Sequence, residues 1–265
     1  MGKIIAIANQ KGGVGKTTTA VNLGTGLAIA EAPVLLIDLD PQANATSGVG
    51  IDSSRKKGSI YDAMINKSGV KELIVKTEIE HLDIIQSSQE LFGAEVELMD
   101  MDHKEFLLRN VLKSIRNEYP FIIIDCPPSL GILTVNAMTA ADSLLIPVQC
   151  EYYAMEGLSQ LLRTKEEIVE NLNTVLTIEG ILLTMFDARN NLSHQVVDEL
   201  RRHFGGLVFK SVIPRNVKIS ESPSFGKPVL LYDTHSRGSQ SYIELTREVL
   251  DRNGYPGDME ISLKV

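Results

Sequence analysis

The sequence predicts an α/β fold in which a mostly parallel, twisted sheet carries helices on both faces. Three observations lead there. Short runs rich in Ile, Val and Leu alternate with stretches whose apolar residues recur at helical spacing, the rhythm of strand–helix–strand units. Those runs are apolar on consecutive residues, as strands covered on both faces are. No Pro/Gly-rich linker, internal repeat or low-complexity tract divides the 265 residues, so one domain over 1–252 is expected, with 253–265 as a frayed tail.

The elements follow in order. KIIAIA (3–8) reads as the first buried strand, and a glycine-rich turn leads from it into a helix over 16–31. VLLIDL (34–39) and LDIIQ (82–86) are the next two strands. A helix over 103–118 places Phe106, Leu107, Val111, Leu112 and Ile115 on one stripe with charges opposite. FIIID (121–125) and SLLIPV (143–148) are strands, followed by a helix over 153–172. IEGILLTM (178–185), a helix over 193–204, LVFKSVI (207–213) and a helix over 237–252 complete the pattern.

Composition excludes several classes. Hydrophobic residues make up 43% and charged residues 23%, enough for a real core and wrong for a disordered chain, a collagen-like repeat or a small disulfide scaffold. Cys126 and Cys150 are the two cysteines, no apolar run approaches the ~18 residues of a membrane span, and Gly2 lacks the Ser or Thr at position 6 that myristoylation needs. A reduced, cytoplasmic protein is expected. A net charge of −8 argues against a surface devoted to nucleic acid.

The turn after the first strand reads QKGGVGKTTT. The common phosphate-binding pattern G-x-x-x-x-G-K-[ST] requires glycine six positions before Lys16, where this chain has Gln10. The physics survives that departure. Gly12, Gly13 and Gly15 permit a backbone whose N–H groups turn inward around an anion, with Val14 between them and the helix start at Lys16, Thr17 and Thr18 aimed at the same place. Lys16 reaches terminal phosphates and the Thr17 hydroxyl suits Mg²⁺. Lys11 is a second lysine on the same short loop with no evident task inside one subunit.

Carboxylates complete the pattern. Asp38 and Asp40 end the second strand, and two acids beside an apolar strand end call for a cation; capping chemistry by Asp40 before Pro41 is the alternative. Asp125 ends FIIID at the carboxyl edge of the sheet, where an acid holds the water shell of Mg²⁺. Cys126 beside it reads as a small packed hydrophobe. Between Arg201 and Lys227 stand six basic residues (Arg201, Arg202, Lys210, Arg215, Lys218, Lys227) against Glu221 alone, a local charge of +5 in an acidic chain. That is either a solvated basic face or a footprint for a polyanion.

KGGVGKTT resembles the deviant Walker A motif of the ParA/MinD family of P-loop ATPases, and NQKGGVGKTTTAVNL, LLIDLDPQANATSG, FIIIDCPPSLG, PVQCEYYAMEG and IPRNVKISESPSFGKPVLLYD resemble, in order, stretches of its chromosomal ParA (Soj) branch. The resemblance covers nearly the whole chain. It implies a single-domain P-loop NTPase with ATP and Mg²⁺ as cofactors, and a homodimer that sandwiches two nucleotides, each met by Lys11 of the other subunit. It assigns Asp40 to orienting the attacking water, Asp38 to the Mg²⁺ neighbourhood, DPQANATSG to switch I and DCPPSLG to switch II. Pro214 and Asn216 fall where the family contacts adenine, although both are also turn residues, and Glu151 falls near the ribose or the dimer seam. Arg189 and Lys218 fall where the branch meets nonspecific double-stranded DNA, Lys218 departing from the arginine that clamps phosphate better. A ParB-type centromere-binding protein, a nucleoid-associated location and chromosome or plasmid segregation are the implied partner, place and process.

No helix-turn-helix pattern precedes the first strand, so phosphate contacts indifferent to sequence and sensitive to salt are expected. A MinD-like membrane ATPase is the rival; it needs an amphipathic closing helix, which Gly254, Pro256 and Gly257 would break. Neither cysteine sits in a glycine-flanked loop suited to an iron–sulfur cluster, and only Tyr255 lies beyond Tyr242, against a tyrosine autokinase.

Overall fold

The computed structural model describes residues 1–52, 58–66, 68–98, 101–152 and 154–255. Eight strands form one sheet: β1 (Lys3–Ile7), β2 (Val34–Asp38), β3 (Ile74–Lys76), β4 (Leu82–Ile85), β5 (Phe121–Asp125), β6 (Ser143–Gln149), β7 (Thr177–Phe186) and β8 (Val208–Pro214). Their order across the sheet is β3-β4-β2-β5-β1-β6-β7-β8, and all pairs are parallel except β3 with β4. Seven of these strands stand where the apolar runs predict them.

The helices are α1 (Lys16–Ile29), α2 (Asn44–Gly48), α3 (Ile60–Met64), α4 (Leu91–Glu97), α5 (Leu107–Leu112), α6 (Ile132–Ala140), α7 (Ala154–Asn171), α8 (Asn191–Phe204), α9 (Val217–Glu221), α10 (Val229–Tyr232) and α11 (Arg237–Arg252). Strand side chains alternate between two cores. Ile5, Ile7, Leu36 and Ile123 pack with Leu23 and Leu27 of α1 and Tyr242 and Leu245 of α11. Ile4, Leu35, Ile122 and Ile124 pack with Leu108 of α5, Leu133 of α6, Leu158 of α7 and Val197 of α8. This two-sided burial is why the strands read as unbroken apolar runs.

The structure differs from the sequence reading at four places. The helix over 103–118 breaks into a 3₁₀ turn at Lys104–Phe106, the short α5 and a second turn at Arg116–Glu118. The edge strand β3, three residues long and half-buried at two of them, carries too little pattern to be found by periodicity. Helix α6 was missed because ILTVNAMTA is buried nearly all round, which erases the amphipathic period. The expected tail is anchored over its described part: Asn253 Nδ2 donates to Glu179 Oε1 at 2.7 Å, and the Tyr255 ring meets Phe121 edge-on at 5.5 Å. Residues 256–265, and with them the expected helix breakers Pro256 and Gly257, lie outside the described residues, as does Tyr153 at the start of the helix expected over 153–172.

Register positions the site. Ile7 at the end of β1 lies opposite Asp125 of β5, and Asp38 at the end of β2 lies opposite Asp125 from the other side. Three neighbouring strands therefore release the glycine-rich loop and both acidic segments at one carboxyl edge, where open α/β sheets bind ligands.

Candidate functional site

The loop between β1 and α1 is fixed from beneath. Asn9 Nδ2 donates to the Pro147 carbonyl at 2.8 Å, and Asn9 Oδ1 accepts from the Lys11 amide at 3.0 Å. Thr184 Oγ1, at the end of β7, donates to the Val14 carbonyl at 2.8 Å. Gly13 and Gly15 take φ of +74° and +91°, left-handed conformations that let successive amides face one side. Gly15 is the N-cap of α1 and supplies no side-chain cap, so the first amides of that helix and its positive dipole end stay available to an anion.

Lys16 is buried, and its Nζ donates to the Lys11 carbonyl at 3.1 Å. Burial lowers the pKa of this amine, with the Asp125 carboxylate foremost among the groups opposing that shift. Asp125 itself is fully buried, and neither carboxylate oxygen has a hydrogen-bond partner among the described residues. Burial pushes its pKa well above the usual carboxylate range, the Asp38 charge pushes further, and the Thr17 hydroxyl and Lys16 pull back. A buried acid with two idle oxygens beside a threonine hydroxyl is unfavourable as it stands and well suited to a hard divalent cation. The donor set thus fits Mg²⁺, and the left-handed glycines, helix start and buried lysine fit a polyphosphate.

Asp38 and Asp40 part company. Asp38, fully buried, spends both oxygens internally: Oδ1 accepts from the Asp40 amide at 3.2 Å, and Oδ2 accepts from the amide and hydroxyl of Thr46, each at 2.7 Å. Burial raises its pKa to about 6 despite those donors. The resemblance puts Asp38 in the Mg²⁺ neighbourhood; in the fold its carboxylate holds helix α2 through Thr46. Asp40 is buried at the rim, with Oδ1 accepting from the Gln42 amide at 3.0 Å in a local turn. Cys126 is a fully buried packing residue whose thiol pKa burial pushes up.

Lys11 has a partner within the subunit, contrary to its expected idleness. Its Nζ lies 2.8 Å from Glu151 Oε2, with both side chains nearly half exposed, at 41% and 47%.

A family model described as an AAA domain matches residues 2–178. The chain is 55% identical over 253 residues to the chromosome partitioning protein ParA of Myxococcus xanthus, covering 96% of this chain and 89% of that one. It is 55% identical over 249 residues to the sporulation initiation inhibitor protein Soj of Bacillus subtilis, covering 94% and 98%. The chain belongs to the ParA/Soj family. Its fold also matches cobyrinic acid a,c-diamide synthase of Mycobacterium smegmatis with a bound ATP analogue and magnesium, at a TM-score of 0.84, 31% identity and 96% coverage of both chains. ATP and Mg²⁺ are its cofactors, and it is an ATPase of the partitioning type.

On the side expected to meet the base, Pro214 ends β8 and Asn216 caps α9, its Oδ1 accepting from the Lys218 amide at 2.8 Å. The N-cap bond accounts for that oxygen. Both line a cavity of about 620 Å³ with Arg189, Arg215, His235 and Arg237.

The basic stretch is not one face. Arg189 precedes α8 at the carboxyl edge of the sheet, and Arg201 and Arg202 stand in the last turn of that helix, about 18 Å away along its axis, beside the start of β8. Arg215 and Lys218 belong to the Arg189 edge. Lys227 lines a separate cavity of about 440 Å³ beside Thr17, Thr18, Asn44 and Ser47. Arg189, 89% exposed, is forked onto Asp187 at 2.9 and 3.0 Å, and Lys218 Nζ reaches Glu221 at 3.1 Å. Sequence reasoning missed Asn9, Thr184, Thr46 and Ser87 as site supports. Asn9 and Thr46 lie inside the quoted NQKGGVGKTTTAVNL and LLIDLDPQANATSG stretches and carried that signal; Thr184 and Ser87 join the site only by chain crossing.

Proposed function

We propose that this ATPase works as an ATP-sandwich dimer that binds double-stranded DNA without regard to sequence and is released by slow hydrolysis stimulated by a ParB-type centromere-binding protein, in chromosome or plasmid segregation. The observation that carries the reading is the half-exposed amine of Lys11, on the same loop as the buried amine of Lys16 and paired, among the described residues, only with the half-exposed Glu151. A pair of this exposure contributes about 0–1 kcal/mol. Glu151 therefore holds Lys11 weakly and yields it readily to the triphosphate of a second subunit.

Bound Mg²⁺ supplies charge neutralisation on the phosphates, next to Thr17 and Asp125. The amides of Gly12 to Thr18 and the Lys16 ammonium bind and orient the polyphosphate, and the Asp40 carboxylate at the rim directs a water at the terminal phosphorus. Two subunits joined this way double the basic edge of Arg189, Arg215 and Lys218, and counterion release grows with the phosphates met.

Size-exclusion chromatography with light scattering tests the assembly. Asp40→Ala is expected to bind ATP and persist as a dimer that holds DNA, while Lys11→Ala binds ATP and stays monomeric. A Lys11→Ala protein that dimerises on ATP as readily as the parent overturns the reading.

A further inference from the structure

Asp40 lies beyond the end of β2, on the irregular segment that leads into α2, where no regular strand ladder fixes its backbone. A closed ring of buried hydrogen bonds does so instead. The Asp40 amide donates to Asp38 Oδ1 at 3.2 Å, and the Asp40 carbonyl accepts from Ser87 Oγ at 2.6 Å. The two ends of this clamp meet through Thr46. Its amide and hydroxyl both donate to Asp38 Oδ2 at 2.7 Å, and its hydroxyl oxygen accepts from the Ser87 amide at 3.3 Å. The ring Asp40–Asp38–Thr46–Ser87 joins three elements: the end of β2, helix α2 and the segment after β4. Thr46 and Asp38 are fully buried and Ser87 is 2% exposed, so water does not compete for these bonds.

We propose that Thr46 and Ser87 are positioning residues for hydrolysis. They hold both polar groups of the Asp40 backbone, Ser87 directly and Thr46 through Asp38, so that the Asp40 carboxylate points at the nucleotide site. Neither touches the nucleotide; each acts on where a water is aimed, and misplacement of about 1 Å is costly in such geometry. Local turn bonds, from the Ala43 amide to the Asp40 carbonyl at 2.9 Å and from the Gln42 amide to Asp40 Oδ1 at 3.0 Å, do not reach the segment after β4; the ring alone makes that tie, so opening it at one bond releases it, and opening it at a second adds little. The inference rests on the reading of Asp40 as the water-orienting group.

The experiment compares Thr46→Val, Ser87→Ala, their double variant, Thr46→Ser and Asp40→Ala, measuring kcat and KM for ATP, affinity for a fluorescent ATP analogue with Mg²⁺, and Tm. Thr46→Val and Ser87→Ala are each expected to lower kcat about tenfold and leave nucleotide affinity within about twofold. The double variant should match the slower single, and Thr46→Ser, which keeps the hydroxyl, should restore turnover. Parental kcat in a folded Ser87→Ala protein overturns the inference, as do losses that multiply in the double variant. If Thr46→Val fails to fold, Ser87→Ala, which removes one oxygen, decides the matter. An Asp40→Ala protein with full turnover defeats the reading of Asp40 and the inference with it; an inactive one beside fully active ring variants defeats the inference alone.

Discussion

Asp38 and Asp125 sit opposite each other in adjacent strands, both fully buried, and they answer that position differently. Asp38 is satisfied by Thr46 and the Asp40 amide, whereas both Asp125 oxygens are idle. A carboxyl whose pKa rises on folding, as Asp38 does from 3.8 to about 6, keeps its proton in the native state after the unfolded chain has lost it. Stability from such a group is present at low pH and lost as pH climbs from about 4 to 6. For Asp125, raised in the same direction, cation binding requires loss of the proton, so affinity for magnesium nucleotide rises with pH. The Tm gain on adding Mg²⁺ and ADP is therefore expected to grow between pH 5.5 and 8; an equal gain at both pH values removes Asp125 from the metal site. Lys16→Ala strips the one buried cation from the loop, and titration with a fluorescent ATP analogue should find binding weakened by at least about a hundredfold, the scale of a lost charge-assisted contact in a buried site. Retained affinity would relocate the nucleotide.

Among the elements, β7 and β8 show how a parallel edge is kept from slipping. Their register shifts between Ile181 and Leu183, and the amides this frees, Lys210 N and Ser211 N, donate to the Glu248 carboxylate of α11 at 2.8 and 2.9 Å. Gly180 lies under the same bulge, where an added Cβ would come within 2.7 Å of the Phe209 ring and 2.8 Å of the Arg252 guanidinium, which itself covers that ring at 4.1 Å. Gly180→Ala is expected to cost about 1–3 kcal/mol by overpacking. Chemical denaturation should register that loss, with ATP affinity unchanged because the position lies far along β7 from Thr184. An unchanged midpoint would mean that Phe209 and Arg252 repack freely. Helix α8 matters for a different reason: its length sets Arg189 and the Arg201–Arg202 pair at opposite edges of the sheet.

At the scale of the whole molecule, basic side chains gather at particular edges of the sheet. The carboxyl edge that carries the nucleotide site also carries Arg189, Arg215, Lys218 and Arg237, within a chain whose net charge is −8. A duplex lying along that edge would meet these basic side chains next to the proposed dimer seam. Arg189→Ala is expected to weaken DNA binding in the presence of ATP and lower the salt slope by about one, while joint loss of Arg201 and Arg202 leaves both unchanged. Fluorescence anisotropy over a salt series reads both quantities. The opposite ranking would put the DNA face at the amino edge of the sheet. Among the described residues no helix is long and apolar enough to cross a membrane.

The sequence by itself determined the fold class, seven of the eight strands and the glycine-rich loop with its lysines, because buried parallel strands and phosphate loops are written in consecutive residues. It also supplied Asp125 as a strand-end acid. Which carboxylate stays idle and which is consumed, that Glu151 holds Lys11 across 140 residues, and that Ser87 grips Asp40 were decided only by the tertiary structure. Those contacts join strands whose neighbours in the sheet are not neighbours in the chain, and no local spacing encodes them. The same reason split the basic stretch: nearness along the chain says nothing of which end of a helix a side chain occupies.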